Sequence, residues 1–375
     1  MSTLSRIAFA FSLCLTASAF ARQNAAPTGG MAQGQPAPPP ASQVPVLFER
    51  PAVSDDVAER RRIQLDVLVT DKAGKPQSGL ELKDFRLLDN GQPAKILSFH
   101  ASDEPSAEPG PPVRVILLFD MVNTPFSQAS FARQQMQKFL RRNGGHLEHP
   151  VEIYVLTDQG VMAQPTPPND GNALAADLDR VDASLRSVGR SAQGAQGAVE
   201  RFQLSLRLIE AVAGNEAKKP GRKLLIWPGP GWPILDWGAV SPSREHTEVF
   251  NSIVQLSTAL REARIDLCSM VQAGPNGFSS YRFQDFLKGV KTVDKANLGN
   301  LDLKVLAVQS GGRALDASND LTKQIEACLQ DAGPYYTMSF DAPRSDHADE
   351  YHDLKVVIDK PGLTARTSSG YYNQP

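Results

Sequence analysis

The chain has 375 residues, with 39 Lys and Arg against 41 Asp and Glu and a formal net charge of −2. So even a balance supplies no field to draw the chain onto nucleic acid or an anionic surface, and it argues against both as partners. With 41% hydrophobic residues, the chain is long enough for one large core or for a core plus a satellite module.

Arg6, the apolar run Ile7 to Leu15 and Ala19-Phe20-Ala21 form the charged start, short hydrophobic core and small-x-small site of a signal peptide over 1–21. Cleavage near Ala21 would place the mature chain in the periplasm or outside the cell. Phe11-Ser12-Leu13 lacks the small residue needed before a lipidated Cys14, which argues against a lipoprotein. Residues 22–55 are rich in Pro, Ala and Gln, and such a segment buries too little surface to offset its ordering entropy, so it reads as a disordered arm. No later segment carries 18 uninterrupted apolar residues, so no transmembrane helix is expected in the mature chain.

Ile63, Leu65, Val67 and Val69 alternate with Gln64, Asp66, Leu68 and Thr70, the period of a half-buried strand. Phe85 to Leu88, the Asp89-Asn90-Gly91 turn and Ile96 to Phe99 read as a hairpin, giving an N-terminal β module over 56–105. From 110 to 342, strands alternate with helices, the signal for a mainly parallel sheet covered on both faces. The strands predicted are 113–119, 151–156, 160–163, 222–227, 264–270 and 335–340. The helices lie near 127–142, 173–186, 196–214, 244–263, 299–310 and 318–331. Leu354, Val356 and Ile358 alternate again, and Pro361-Gly362 turns the chain back. Strands in so small a unit do not persist alone, so those of 350–373 are expected to join the N-terminal module in one sandwich-like layer. The fold class is α/β, Rossmann-like, with no Gly-x-Gly-x-x-Gly after the first strand and no Gly-x-x-x-x-Gly-Lys-Ser/Thr.

The apolar run Val115 to Phe119 ends in Asp120 and then becomes a helical pattern. A carboxylate at the carboxyl tip of a buried parallel strand sits where open α/β sheets bind ligands. Its simplest alternative role is to order the loop or cap the helix. Trp227, Trp232 and Trp237 all follow one strand, and Trp is enriched among interface anchors, so the segment is a candidate partner-binding loop. The other reading has the rings wedge a Pro/Gly-rich loop onto the domain. Cys268 and Cys328 are either a disulfide or two buried thiols.

Catalytic signals are weak. Ser191 lies in Gly-Arg-Ser-Ala-Gln-Gly, without a Gly-x-Ser-x-Gly elbow. Histidines 100, 146, 149, 246, 347 and 352 sit in polar, loop-like sequence and read as solvated, as do Asp177, Asp179 and Asp182 on a helix.

The pieces LDVLVTDKAGKPQSGLELKDFRLLDNGQPAKILSF at 65–99, FDMVNTPFSQASFARQQMQKFL at 119–140, PGRKLLIWPGPGWP at 220–233, SGGRAL at 310–315, YYTMSF at 335–340 and the end LKVVIDKPGLTARTSSGYY resemble the von Willebrand factor type A-related (VWFA-related) family of secreted proteins abundant in Acidobacteria. The resemblance covers most of residues 55–373 and implies a VWFA domain flanked by β segments. It also implies a metal-ion-dependent adhesion site, in which an Asp-x-Ser-x-Ser loop, a Thr and a further Asp hold a divalent cation. Here Asp120 and Thr124 match, Val122 replaces the middle hydroxyl, Asn123 offers an amide oxygen and Ser191 stands in for the Thr. Pro228-Gly229-Pro230-Gly231 falls where the third-loop Asp belongs, and Asp158 or Asp236 would have to approach instead.

The expectation is therefore an exported, non-catalytic, adhesion-type protein with a degenerate metal site that takes Mg²⁺ or another divalent cation weakly, and with no firm cofactor. Its partner would be a protein or a cell-envelope component. Two alternatives are a hydrolase using Ser191 or a metal-activated water at Asp120, and a purely structural envelope protein.

Overall fold

The computed structural model describes residues 61–104, 110–158, 160–163, 169–181, 194–234, 242–271 and 282–375. The expected signal peptide and arm, together with Ser191, Asp236 and Trp237, lie outside these residues. In chain order the strands are β1 (Arg62–Thr70), β2 (Phe85–Asp89), β3 (Gln92–Ala94), β4 (Ser98–Ala101), β5 (Arg114–Asp120), β6 (Val151–Thr157), β7 (Gly160–Ala163), β8 (Lys223–Pro228), β9 (Ile265–Met270), β10 (Arg313–Ala314), β11 (Tyr336–Asp341), β12 (Glu350–Ile358), β13 (Thr364–Arg366) and β14 (Gly370–Asn373). The α-helices are α1 (Phe126–Leu140), α2 (Gly171–Val181), α3 (Gly194–Glu216), α4 (Pro242–Glu262), α5 (Leu303–Gln309) and α6 (Leu321–Leu329).

A six-stranded sheet of order β10-β9-β8-β5-β6-β7 forms the centre, parallel except for β7. Its strands are apolar on both faces because both are covered. On β5, Ile116 and Leu118 join Phe202, Leu206 and Ile209 of α3 and Ile253 and Leu256 of α4. The alternate residues Val115, Leu117 and Phe119 join Ala132 and Met136 of α1, Leu174 and Leu178 of α2 and Ile325 of α6. Each helix supplies apolar residues three or four apart, one stripe toward the sheet. Cys268 on β9 and Cys328 on α6 are disulfide-bonded, with Cα atoms 6.1 Å apart, inside the second of these cores.

Two four-stranded sheets, β13-β1-β11-β4 and β14-β12-β2-β3, make up the rest. They share one core, in which Ile63, Leu65 and Val67 meet Phe85, Leu87, Leu354, Val356 and Tyr371. The pattern of β1 predicts this. Its odd-numbered residues fill that core, while Leu68 faces the opposite way and packs into the α/β core.

Two expectations are corrected. Residues 335–340 do not extend the central sheet: β11 lies antiparallel between β1 and β4, with Arg62 opposite Asp341 and Met338 opposite Phe99. Tyr336, Met338 and Phe340 point into the two-sheet core, a period-two pattern that fits a strand buried on one face better than a doubly covered one. The Asn90-Gly91 turn, with both residues at positive φ, joins β2 to β3 rather than to Ile96–Phe99. A two-residue turn of that kind closes a hairpin at once, and the chain then crosses to the other sheet as β4.

Where β8 and β9 begin, Arg222 donates from Nε to Asp266 at 2.8 Å within the α/β part. Asp331 receives Arg313 of the same part and Arg366 of β13, and the second of these pairs joins the two parts. No helix among the described residues is long and apolar enough to cross a membrane.

Candidate functional site

Asp120 ends β5 at the carboxyl edge of the sheet, and the edge-to-helix turn 121–125 follows it. The carboxylate is 1% exposed. Its Oδ1 accepts the backbone N–H groups of Val122 and Asn123, both at 2.9 Å. This local side-chain-to-backbone pairing turns the chain out of the strand. Its Oδ2 accepts the Asn123 side-chain amide at 3.0 Å and the Trp227 indole N–H at 3.1 Å. Burial pushes the carboxyl above its usual range, and the four donors oppose that shift by favouring the charged form.

The donors are themselves fixed. Asn123 Nδ2 also donates to Ser205 Oγ on α3 at 2.9 Å. Trp227, near the end of β8, is 0% exposed and meets Trp232 edge-on, with ring centroids 5.5 Å apart. Trp232 is 4% exposed and donates its indole N–H to Leu301 O at 2.9 Å. Neither ring can anchor a partner, which corrects the reading of both as a partner-binding loop. They are core residues that seat the loop after β8, and Trp237 lies outside the described residues. The glycines of that loop are dictated by contact: Gly231 has φ 70°, and a Cβ there would come within 2.9 Å of Leu303 Cβ. A side chain at Gly229 would meet Thr124 Oγ1 at 3.2 Å.

The expected cation ligands do not fit a cation. Both Asp120 oxygens face N–H donors, Trp227 Nε1 among them, whereas hard cations require oxygens as neighbours. Asn123 Oδ1 and Thr124 Oγ1 are buried without a hydrogen-bond partner among the described residues, but Asn123 spends its amide N–H groups on Asp120 and Ser205. Asp158 is exposed, on the turn after β6. Ser191 and Asp236 lie outside the described residues. Among the described residues, no group of three or more His, Cys, Asp or Glu side chains is arranged to hold a metal.

Sequence reasoning missed the apolar side chain that this edge does present. Phe126, the first residue of α1, is 73% exposed. The signal was available: its position just after Asn123-Thr124-Pro125 marks a helix start, and the inward stripe of α1 begins only at Ala129. Two polar readings also change. His352 is buried on β12, bonded through Nδ1 to Asp89 Oδ1 at 2.7 Å beside Tyr371, whose hydroxyl donates to Asp89 Oδ2 at 2.8 Å. Asp177 is buried and paired with Arg180.

No family model and no curated protein matches the chain. Among solved structures it is similar to the human COPII-coat protein Sec24c, at 8% identity over 70% of this chain and 44% of that one, with a TM-score of 0.35. It is also similar to the TFIIH p34 N-terminal domain, at 13% identity over 58% of this chain and 97% of that one, with a TM-score of 0.30. The chain thus spans less than half of the Sec24c chain.

Proposed function

We propose that this is an exported, non-catalytic binding module of VWFA type that recognises a protein or cell-envelope component through the carboxyl edge of its central sheet, without a cation. The two four-stranded sheets, read as one sandwich-like module, are its base, and residues 1–21 its signal peptide. The observation that carries the reading is Phe126, a large ring left 73% exposed on the first turn of α1, directly after the loop that Asp120 holds. An exposed ring on a pre-ordered loop binds with little further entropy loss, which is the property of an interface anchor.

The test is site-specific photo-crosslinking in the native cell envelope, with the probe at Phe126 and, as control, at the exposed Leu82 of the β module. A discrete adduct at Phe126, absent at Leu82 and unchanged by EDTA, is the expected result. Equal labelling at both positions, or an adduct lost on chelation, refutes the proposal. Mass spectrometry of the mature chain should find its N-terminus at or near Arg22, and retention of Met1 in exported material would refute export.

A further inference from the structure

We infer that the Trp227 indole occupies the place of a cation at Asp120, so that the loop is locked without metal and a latent cation site is held closed by one N–H group. A carboxylate offers about four acceptor directions, and here each is taken. Val122 N and Asn123 N fill those of Oδ1, and Asn123 Nδ2 and Trp227 Nε1 fill those of Oδ2. Three of the four donors belong to the loop itself. Only the indole comes from a distant strand, so it alone decides whether Oδ2 has room for anything else.

The indole cannot drift away, because its ring is fully buried and wedged on Trp232. The Asn123 amide cannot swing across to replace it, since Ser205 Oγ holds it from behind and is itself donated to Arg201 O at 2.7 Å. A point over Gly229, where a Cβ would sit, lies 3.2 Å from Thr124 Oγ1 and 3.6 Å from Trp227 Nε1. The hydroxyl and the indole nitrogen thus both border the position that a side chain at Gly229 would take. Thr124 Oγ1 and Asn123 Oδ1 are both buried and have no hydrogen-bond partner among the described residues. With the N–H removed, Asp120 Oδ2 gains a free direction on a loop that carries two further unused oxygens, and oxygens are the ligands a hard cation selects. The tryptophan therefore makes the loop indifferent to cations. This inference is independent of whether the edge docks a partner.

The experiment uses the full chain with ¹⁵N-labelled tryptophan and Mn²⁺ as a paramagnetic probe. In the wild type, the Trp227 indole N–H should resist exchange with D₂O, and millimolar Mn²⁺ should leave its resonance unbroadened. Trp227→Phe keeps a buried ring and removes the N–H. It should bind Mn²⁺ at least about tenfold more tightly than wild type, and adding Asp120→Asn should abolish the gain. Rapid exchange of the wild-type indole, or wild-type Mn²⁺ binding that Asp120→Asn removes, overturns the inference. So does a folded Trp227→Phe protein with no gain in Mn²⁺ affinity. The two wild-type measurements decide the matter even where that variant does not fold.

Discussion

Arg264 closes a two-point ion pair on Asp66, donating from Nε to Oδ2 at 2.9 Å and from Nη2 to Oδ1 at 2.6 Å. Arg264 sits at φ 55°, in the left-handed region, on the turn between α4 and β9, whereas Asp66 is in the middle of β1. The pair therefore ties the two-sheet module to the base of the α/β domain, and Thr337 Oγ1 on β11 adds a third hydrogen bond to the same carboxylate at 2.9 Å.

Asp66→Asn keeps the shape and removes the charge, leaving a largely buried guanidinium without its counter-ion. Loss of one partner from such a pair costs about 3 kcal/mol. A denaturant midpoint lowered by that amount, with an unchanged slope, is expected. A shift under about 0.5 kcal/mol would place this contact with the surface ion pairs.

Lys223 opens β8 and is 1% exposed, its ammonium donating to the carbonyls of Lys219 and Ala263. Burial, with Arg264 and Arg114 nearby, pulls it down from 10.5 to about 8, against the opposing pull of Glu216 and Asp66. Between about pH 8 and 10.5 the unfolded chain keeps a proton that the folded chain has lost, so this group makes stability rise with pH across that window; below it, the cost of the buried charge is felt in full. Wild type should therefore gain on Lys223→Met from pH 8 to 10.5 in urea unfolding series. Parallel curves would refute the assignment, whatever the absolute effect of the substitution.

The Cys268–Cys328 bridge closes a loop of 60 residues. Constraining the unfolded chain over that span is worth roughly 2 to 4 kcal/mol. The Cys268→Ala/Cys328→Ala protein should unfold at correspondingly lower denaturant than the wild type, and reductant should then have no further effect on it. Equal midpoints would show that the bridge does not form in the protein.

Trp232→Ala and Phe126→Ser separate packing from recognition. Trp232→Ala empties a core position and removes the donor to Leu301 O, so a loss of about 3 to 5 kcal/mol is expected. Phe126→Ser should leave stability within about 0.5 kcal/mol and weaken capture of the partner in a pull-down from the native cell envelope. The reverse ranking in thermal melts would exchange the two roles.

The strand ending at Asp120 was legible because a run covered on both faces has no polar interruption until its tip. The local half of the Asp120 cage was legible too, since Asn123 lies within one turn. The other half was not: Trp227 is 107 residues away, and nothing in Trp-Pro-Gly-Pro-Gly-Trp-Pro tells whether its rings face solvent or core. The same limit misplaced residues 335–340. A strand following a helix reads as the next βα unit, and only its pairing with β1 and β4 shows that it belongs to another layer. Phe126 was passed over for the opposite reason, as an apolar residue at a helix start is ordinarily assumed to be inward.

The α/β domain is an insertion within the two-sheet module, entering after β4 and leaving before β11. β1 therefore emerges from the ribosome long before β11 and β13, the strands that flank it through pairs such as Arg62 with Asp341 and Val69 with Ala365. While the inserted domain is completed from contacts close in sequence, β1 to β4 wait with unpaired edges and an open apolar face, the state in which strands associate with the wrong chain. The last strands to be made are the ones that end this exposure, so a chain stalled before β12 would be a seed for aggregation rather than a shorter version of the protein.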